Sequence, residues 1–106
     1  MSDGAPANTA EHEKKAVSSA EIEQIVQNVL VVVQDWFSHN CVDQAVYEEN
    51  GVLNVHNCRG NRDVWIERTE ESVEVTSNMY GSIRCAEIFP GDDIVRALRR
   101  VLSRDK

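Results

Sequence analysis

The sequence predicts a single α+β domain in which a helix, an antiparallel meander of about five strands and a second helix follow one another. Three observations predict this fold. Residues 18–39 repeat apolar side chains at intervals of three and four, the period of a helix. Asn50-Gly51, the preferred dipeptide of a tight hairpin turn, separates two short β-type segments. Pro90-Gly91 ends the last β-type segment before a second helical pattern.

The first helix has a well-defined start. Ser18 suits the N-cap position, Glu21 completes a capping box, and Val17 can pack on Ile22 as a hydrophobic staple. The preceding residues are polar and show no apolar periodicity. We therefore predict a flexible arm over residues 1–17 and one domain over residues 18–106. The 106 residues, 42% of them hydrophobic, suffice for one modest core.

The middle of this helix is unusually apolar. The β-branched residues within 29–33 favour a strand locally, but the caps and the length of the periodic pattern favour a helix. Val31 and Val32 lie off the main apolar stripe, and one sheet face cannot cover them together with the stripe. We therefore predict a second contact surface here, and self-association as a two-fold homodimer through this helix or through the sheet face that the helices leave uncovered.

The strands are predicted from alternating apolar and polar residues over residues 45–49, 52–57, 63–69, 72–77 and 82–89. A two-residue loop at Asn50-Gly51 pairs Glu49 with Val52 and turns one set of side chains toward the helix, namely Val46, Leu53 and Val55. A longer turn, residues 78–81, is expected before the last strand.

The second helix is predicted over residues 94–103, with Asp92 or Asp93 as its cap. Its expected buried stripe is Ile94, Val95, Leu98, Val101 and Leu102. Its exposed side carries a basic group made of Arg96, Arg99, Arg100 and Arg104. These guanidinium groups are candidates for contact with an acidic partner or phosphate, although they also complement the helix dipole as an ordinary solvated face.

The net charge of −7 is unevenly distributed. Residues 1–93 hold 17 acidic and 6 basic side chains, a net of −11, whereas residues 94–106 hold 1 acidic and 5 basic, a net of +4. Because an acidic body repels phosphate, nucleic-acid binding is disfavoured. No apolar run is long enough to cross a membrane, and the polar start predicts a cytoplasmic or nuclear protein.

Two tripeptides, His39-Asn40-Cys41 and His56-Asn57-Cys58, are candidates for a metal site. Two His-Cys pairs together would supply a tetrahedral zinc set, but the spacing does not match a known zinc pattern. The alternative is ordinary strand and loop residues, and no cofactor is predicted. Phosphate loops are absent from the sequence, and the acidic pairs fall on predicted turns and caps, so we do not expect an enzyme.

The predicted order of elements resembles two families. The double-stranded-RNA-binding domain starts its second helix with lysines, where this chain has Asp92-Asp93. The frataxin family wraps an acidic sheet with two helices, and residues 50–53 are similar to its early strand. The first helix here, however, lacks the acidic ridge that frataxins use for iron. The sequence therefore assigns the chain to neither family.

The sequence favours a non-enzymatic protein-protein interaction module, a small acidic adaptor or regulatory subunit. Tyr47 and Trp65 lie on the sheet face opposite the predicted core and, with the valines and arginines above, are the candidate contact residues. Two alternatives stay open, an acidic chaperone for a protein partner and a metal-binding protein that uses the His and Cys pairs.

Overall fold

The computed structural model describes residues 17–40, 43–57 and 62–102. The predicted arm, except Val17, lies outside the described residues, as do Cys41, Cys58 and Arg104. Along the chain, helix α1 precedes five strands and helix α2 follows them. The elements are α1 Ser19–His39, β1 Gln44–Glu49, β2 Val52–Asn57, β3 Arg62–Arg68, β4 Val73–Met79, β5 Ser82–Ile88 and α2 Ile94–Leu102. The predicted α+β fold, with one helix before and one after a five-stranded sheet, is confirmed.

The strands form one antiparallel sheet in the order β1-β2-β3-β4-β5. Glu49 pairs with Val52, as predicted. The loop residues Asn50 and Gly51 have φ values of 54° and 80°, the left-handed backbone that a type I′ turn requires. The hairpin prediction is therefore confirmed in both register and turn geometry.

The turn between β4 and β5 is shorter than predicted. Strand β4 continues to Met79, so only Tyr80 and Gly81 form the loop, again with positive φ values of 58° and 91°. The Asn78 side chain accepts a hydrogen bond from the Gly81 N–H at 2.9 Å and fixes this tight geometry. A non-glycine residue with positive φ is uncommon, which is why a Tyr-Gly pair is a weak sequence signal for such a turn.

Helix α1 begins as its sequence predicts. The Glu21 N–H donates to Ser18 Oγ at 3.1 Å, and the Ser18 N–H donates to Glu21 Oε1 at 3.2 Å, which completes the capping box. At the other end, the Asn40 N–H and side-chain amide both donate to the Trp36 carbonyl. No helix among the described residues is long and apolar enough to span a membrane.

Both helices pack on one face of the sheet. Helix α1 crosses β3 and β4, and α2 lies beside it over β4 and β5. The shared core includes Val29, Phe37, Ile66, Ile88 and Leu98, all fully buried. Strand β1 projects beyond α1, so Val46, predicted to face the helix, keeps 39% of its surface exposed.

Helix α2 is fixed at both ends. Asp93 caps it, since its Oδ1 accepts from the Arg96 N–H at 3.1 Å. At the C-terminal end, Ser77 and Arg84 of the sheet donate to the carbonyls of residues 101 and 100. Val95 was predicted to be buried but is 55% exposed, because it turns toward the gap beside α1 instead of the sheet.

Candidate functional site

The candidate site is the sheet face opposite the two helices, here called the open face. Strand register arranges its side chains in three rows that run across the sheet. The central row is Tyr47, Asn54, Trp65, Thr76 and Cys85; the acidic row is Glu49, Val52, Glu67, Glu74 and Glu87; the third row is Ala45, His56, Asp63, Asn78 and Ile83. Both helices lie on the other face, so neither covers these rows.

The central row carries the two predicted aromatics. Tyr47 is 44% exposed on the edge strand, and Trp65 is half-buried in the middle of the sheet. Asn54 stands between them and is only 8% exposed, although it faces away from the core. Its amide donates to the Val52 carbonyl at 2.9 Å. The centre of the open face is therefore aromatic. Asn54, between the two aromatic residues, is buried, while Tyr47 and part of Trp65 remain accessible to a partner.

Three of the four glutamates in the acidic row lie on adjacent strands. Glu67 lies directly opposite Glu74, and Glu74 lies directly opposite Glu87. The Glu87 carboxylate accepts a hydrogen bond from Ser72 Oγ at 2.6 Å. Within the described residues, Glu67 and Glu74 have no ion-pair or hydrogen-bond partner for their side chains. Like charges directly opposite one another destabilise a sheet, so this arrangement works against folding.

The third row adds an exposed apolar side chain and a polar pair. Ile83 on β5 is 68% exposed. His56 Nδ1 lies 3.6 Å from Asp63 Oδ1, and the imidazole meets the Tyr47 ring edge-on at 5.5 Å between centroids. Tyr47, Trp65 and Ile83 thus spread apolar surface from one edge of the open face to the other.

The two histidines among the metal candidates lie on opposite sides of the sheet. His39 lines the gap between the helices, with Nδ1 3.1 Å from the Asp35 carbonyl oxygen, whereas His56 belongs to the open face. The sheet therefore lies between the two imidazoles. Cys41 and Cys58 are outside the described residues. Across residues 17–40, 43–57 and 62–102, His, Cys, Asp and Glu side chains form no group able to hold a metal ion.

The two valines singled out in α1 differ in their environment. Val31 is 63% exposed and points away from the sheet. Val32 is half-buried, because α2 lies beside it and together they border a groove of about 480 Å³. That groove is also lined by Trp36, Val95 and Leu98. The surplus apolar surface of α1 is thus smaller than predicted, since the second helix covers part of it.

The predicted basic group lies on the helix layer. Arg96, Arg99 and Arg100 are exposed on α2, and Arg104 is outside the described residues. Because α2 packs on the face opposite the open face, these arginines and the acidic row are on opposite sides of the molecule. The helix layer is not purely basic, however, since α1 exposes Glu23 and Asp35 on the same side.

Arg68 links β3 to α1 and to the first hairpin. Its guanidinium contacts Glu23 of α1 and Glu48 of β1 and donates to the Gly51 carbonyl at 3.1 Å. The hydrogen bond from Arg68 lowers the pKa of Glu23, and the same bond raises the pKa of Arg68. Arg68 is therefore occupied on the helix side of the sheet and does not neutralise the acidic row.

The contacts of the Arg62 side chain with two aromatic rings were not predicted from the sequence. The Arg62 guanidinium lies between the Tyr80 ring, 4.9 Å from its centroid, and the Trp36 ring, 5.9 Å away, and donates to the Tyr80 hydroxyl. Its Nε and Nη1 atoms are buried without a hydrogen-bond partner. The two rings thus supply cation–π stabilisation to a charge that is incompletely hydrogen-bonded.

Fold and site together define a class of protein: a small α+β domain with one sheet face buried under helices and the other not covered by any residue that the structure describes. Comparison of the chain with protein-family models, with curated proteins and with solved structures finds no match. The assignment of function therefore depends on the residues of the open face.

Proposed function

We propose that this chain is a non-enzymatic protein-binding domain that holds its partner on the open face. The observation that carries the proposal is the apolar surface that Tyr47 and Ile83 expose, with the half-buried Trp65 between them, on a sheet face that neither helix covers. Large exposed apolar patches with a polar surround are typical of protein interfaces, and tyrosine and tryptophan are enriched among the residues that dominate binding energy.

The charge of the open face supports a protein as the partner. Its three rows hold five carboxylates and one histidine. Such a surface repels the phosphates of nucleic acid, as the net charge of −7 of the whole chain also does. A protein partner can offer apolar side chains to the aromatic centre and polar or cationic side chains to the acidic row.

A second copy of the chain fits the open face poorly. A two-fold interface places the same surface on both sides, so two faces that each carry five carboxylates would approach one another. We therefore assign the self-association predicted from the sequence to the helix layer, where Val31 and Val95 are exposed. The homodimer is thus compatible with a different protein on the open face.

The adaptor and the chaperone remain two versions of this function. Both require an exposed apolar and acidic surface, and both suit the cytoplasmic or nuclear setting expected from the sequence. They differ in the partner: binding to a folded protein supports the adaptor, and binding only to the unfolded form of a partner supports the chaperone.

Site-specific photo-crosslinking tests the proposal. A benzophenone side chain replaces Thr76 at the centre of the open face, and a matched variant carries it at Val31 on the helix layer. We expect a protein partner to be captured from Thr76 in the cell of origin. Capture from Val31 alone would contradict the assignment.

The captured partner, once purified, allows a quantitative check. Ile83→Ser and Tyr47→Ser remove exposed apolar surface from the open face and should each weaken binding by about tenfold, the effect of losing a binding hot spot. Val31→Ser is the matched control on the helix layer and should leave the affinity unchanged. Equal affinities for all four proteins would refute a role for the open face.

A further inference from the structure

We propose that the partner engages the open face through a cationic segment, one that carries lysine or arginine together with apolar residues. This inference rests on the proposed function and goes further by naming the chemistry of the partner. It follows from three properties of the open face: uncompensated charge in the acidic row, the position of that row beside the aromatics, and the placement of the chain's own cations.

Repulsion within the acidic row lowers the stability of the fold, and a bound cationic group would relieve that repulsion. Glu67, Glu74 and Glu87 are direct cross-strand neighbours, whose Cβ atoms are about 5 Å apart in an antiparallel pair. Each like-charge pair opposes folding, and an arrangement that works against stability is expected where function requires it. A cationic group above Glu74 would interact favourably with three carboxylates at once.

The acidic row is also aligned with the aromatic centre. Glu67 and Trp65 are two residues apart on β3, and Glu49 and Tyr47 are two apart on β1, so each pair shares the open face at a separation of about 7 Å. Lysine and arginine have long apolar stems and a charged end. A segment that alternates such residues with apolar ones can place charge on the acidic row and apolar side chains on the rings.

The described part of the chain supplies no cation of its own to this row. Arg68 is engaged with Glu23 and Glu48 on the helix side, and Arg84 donates to the carbonyl of residue 100 in α2. Arg96, Arg99 and Arg100 lie on the helix layer. Charge complementarity therefore points to a positively charged partner and away from a second copy that presents its own acidic open face.

A pair of synthetic peptides tests the inference. One fluorescently labelled peptide alternates lysine with phenylalanine and serine, and its match has glutamate at every lysine position; fluorescence anisotropy reports binding to the full chain. We expect the lysine peptide to bind and the glutamate peptide to fail. Glu74→Gln should weaken the lysine peptide by roughly threefold to tenfold, since one interaction with a partly desolvated carboxylate is lost.

Two controls separate this effect from general electrostatics and from misfolding. Asp35→Asn removes one exposed carboxylate from α1, on the opposite side of the molecule, and should leave the affinity unchanged. The difference between Glu74→Gln and wild type should shrink at high salt. Urea unfolding of Glu74→Gln should show a protein at least as stable as wild type, so weaker binding cannot result from unfolding.

The outcomes distinguish this inference from the proposed function. Equal binding of both peptides, or equal losses in Glu74→Gln and Asp35→Asn, overturns the cationic partner. A crosslinked partner whose captured segment is neutral or acidic also overturns it, while leaving the open face as a protein-binding surface. Failure to crosslink any protein from Thr76 overturns the proposed function itself and the inference with it.

Discussion

Replacing Glu74 by glutamine is expected to stabilise the folded domain, although the side chain is half-buried and the substitution removes a charge. Glu74 lies between Glu67 and Glu87, so the substitution abolishes two like-charge cross-strand pairs. Each such pair costs roughly 0.2–1 kcal/mol. Glutamine keeps the length and shape of the side chain, so the expected gain in the free energy of unfolding is about 0.5–1.5 kcal/mol.

The assay is urea unfolding followed by the fluorescence of Trp36 and Trp65. A gain of 1 kcal/mol also raises the melting temperature of a domain of this size by about 4–8 °C. Glu49→Gln is the matched control, because Glu49 belongs to the same row but lies opposite Val52. That control should change stability by no more than about 0.5 kcal/mol.

Salt provides the decisive comparison for this prediction. At about 1 M NaCl the screening length is about 3 Å, so repulsion between these carboxylates largely disappears. The advantage of Glu74→Gln over wild type should therefore shrink at high salt. A destabilised Glu74→Gln protein, or a gain that persists at high salt, would show that the glutamates do not repel one another as argued.

Three further predictions concern the helix layer and its contacts. Ser18→Ala breaks the capping box and should lower the free energy of unfolding by about 1 kcal/mol in urea titration, whereas the neighbouring Ser19→Ala should not. Light scattering at micromolar concentration should show a wild-type dimer and a Val31→Lys monomer; a monomeric wild type would rule out association through α1. Because Arg68 lowers the folded-state pKa of Glu23, their ion pair stabilises the protein above the ordinary glutamate pKa of about 4.3 and loses its effect as pH falls through the lowered value. Arg68→Met should thus cost about 0.2–1 kcal/mol at neutral pH and less at strongly acidic pH, and a pH-independent cost would contradict this.

The elements that the sequence predicted well are those specified by local chemistry. The capping box at Ser18 and Glu21 involves residues within one helical turn, and Asn50-Gly51 sets its own hairpin register. The alternation of apolar and polar residues also predicted that Tyr47 and Trp65 lie on the face opposite the core, and the strand register confirms it.

The features that the sequence did not predict depend on relations between distant residues. Alignment of Glu67, Glu74 and Glu87 requires the register of three strands, and the true β4–β5 turn at Tyr80 is two residues shorter than the predicted one. The exposure of Val95 reflects where α1 lies beside α2. None of these relations is encoded in a short segment, so periodicity alone does not reveal them.

The order of the strands also bears on how the domain folds. Every neighbouring pair in the sheet is consecutive in sequence, so each can close as a local hairpin, and topologies with local contacts fold fast. Helix α1 packs on β3 and β4, which lie far along the chain, so its docking closes a much longer loop. A meander that forms before α1 docks exposes its valine-rich side to water, and association between such intermediates is the usual route to aggregation. We expect the carboxylates on the opposite side to oppose such association, because they give every partly folded sheet the same negative charge.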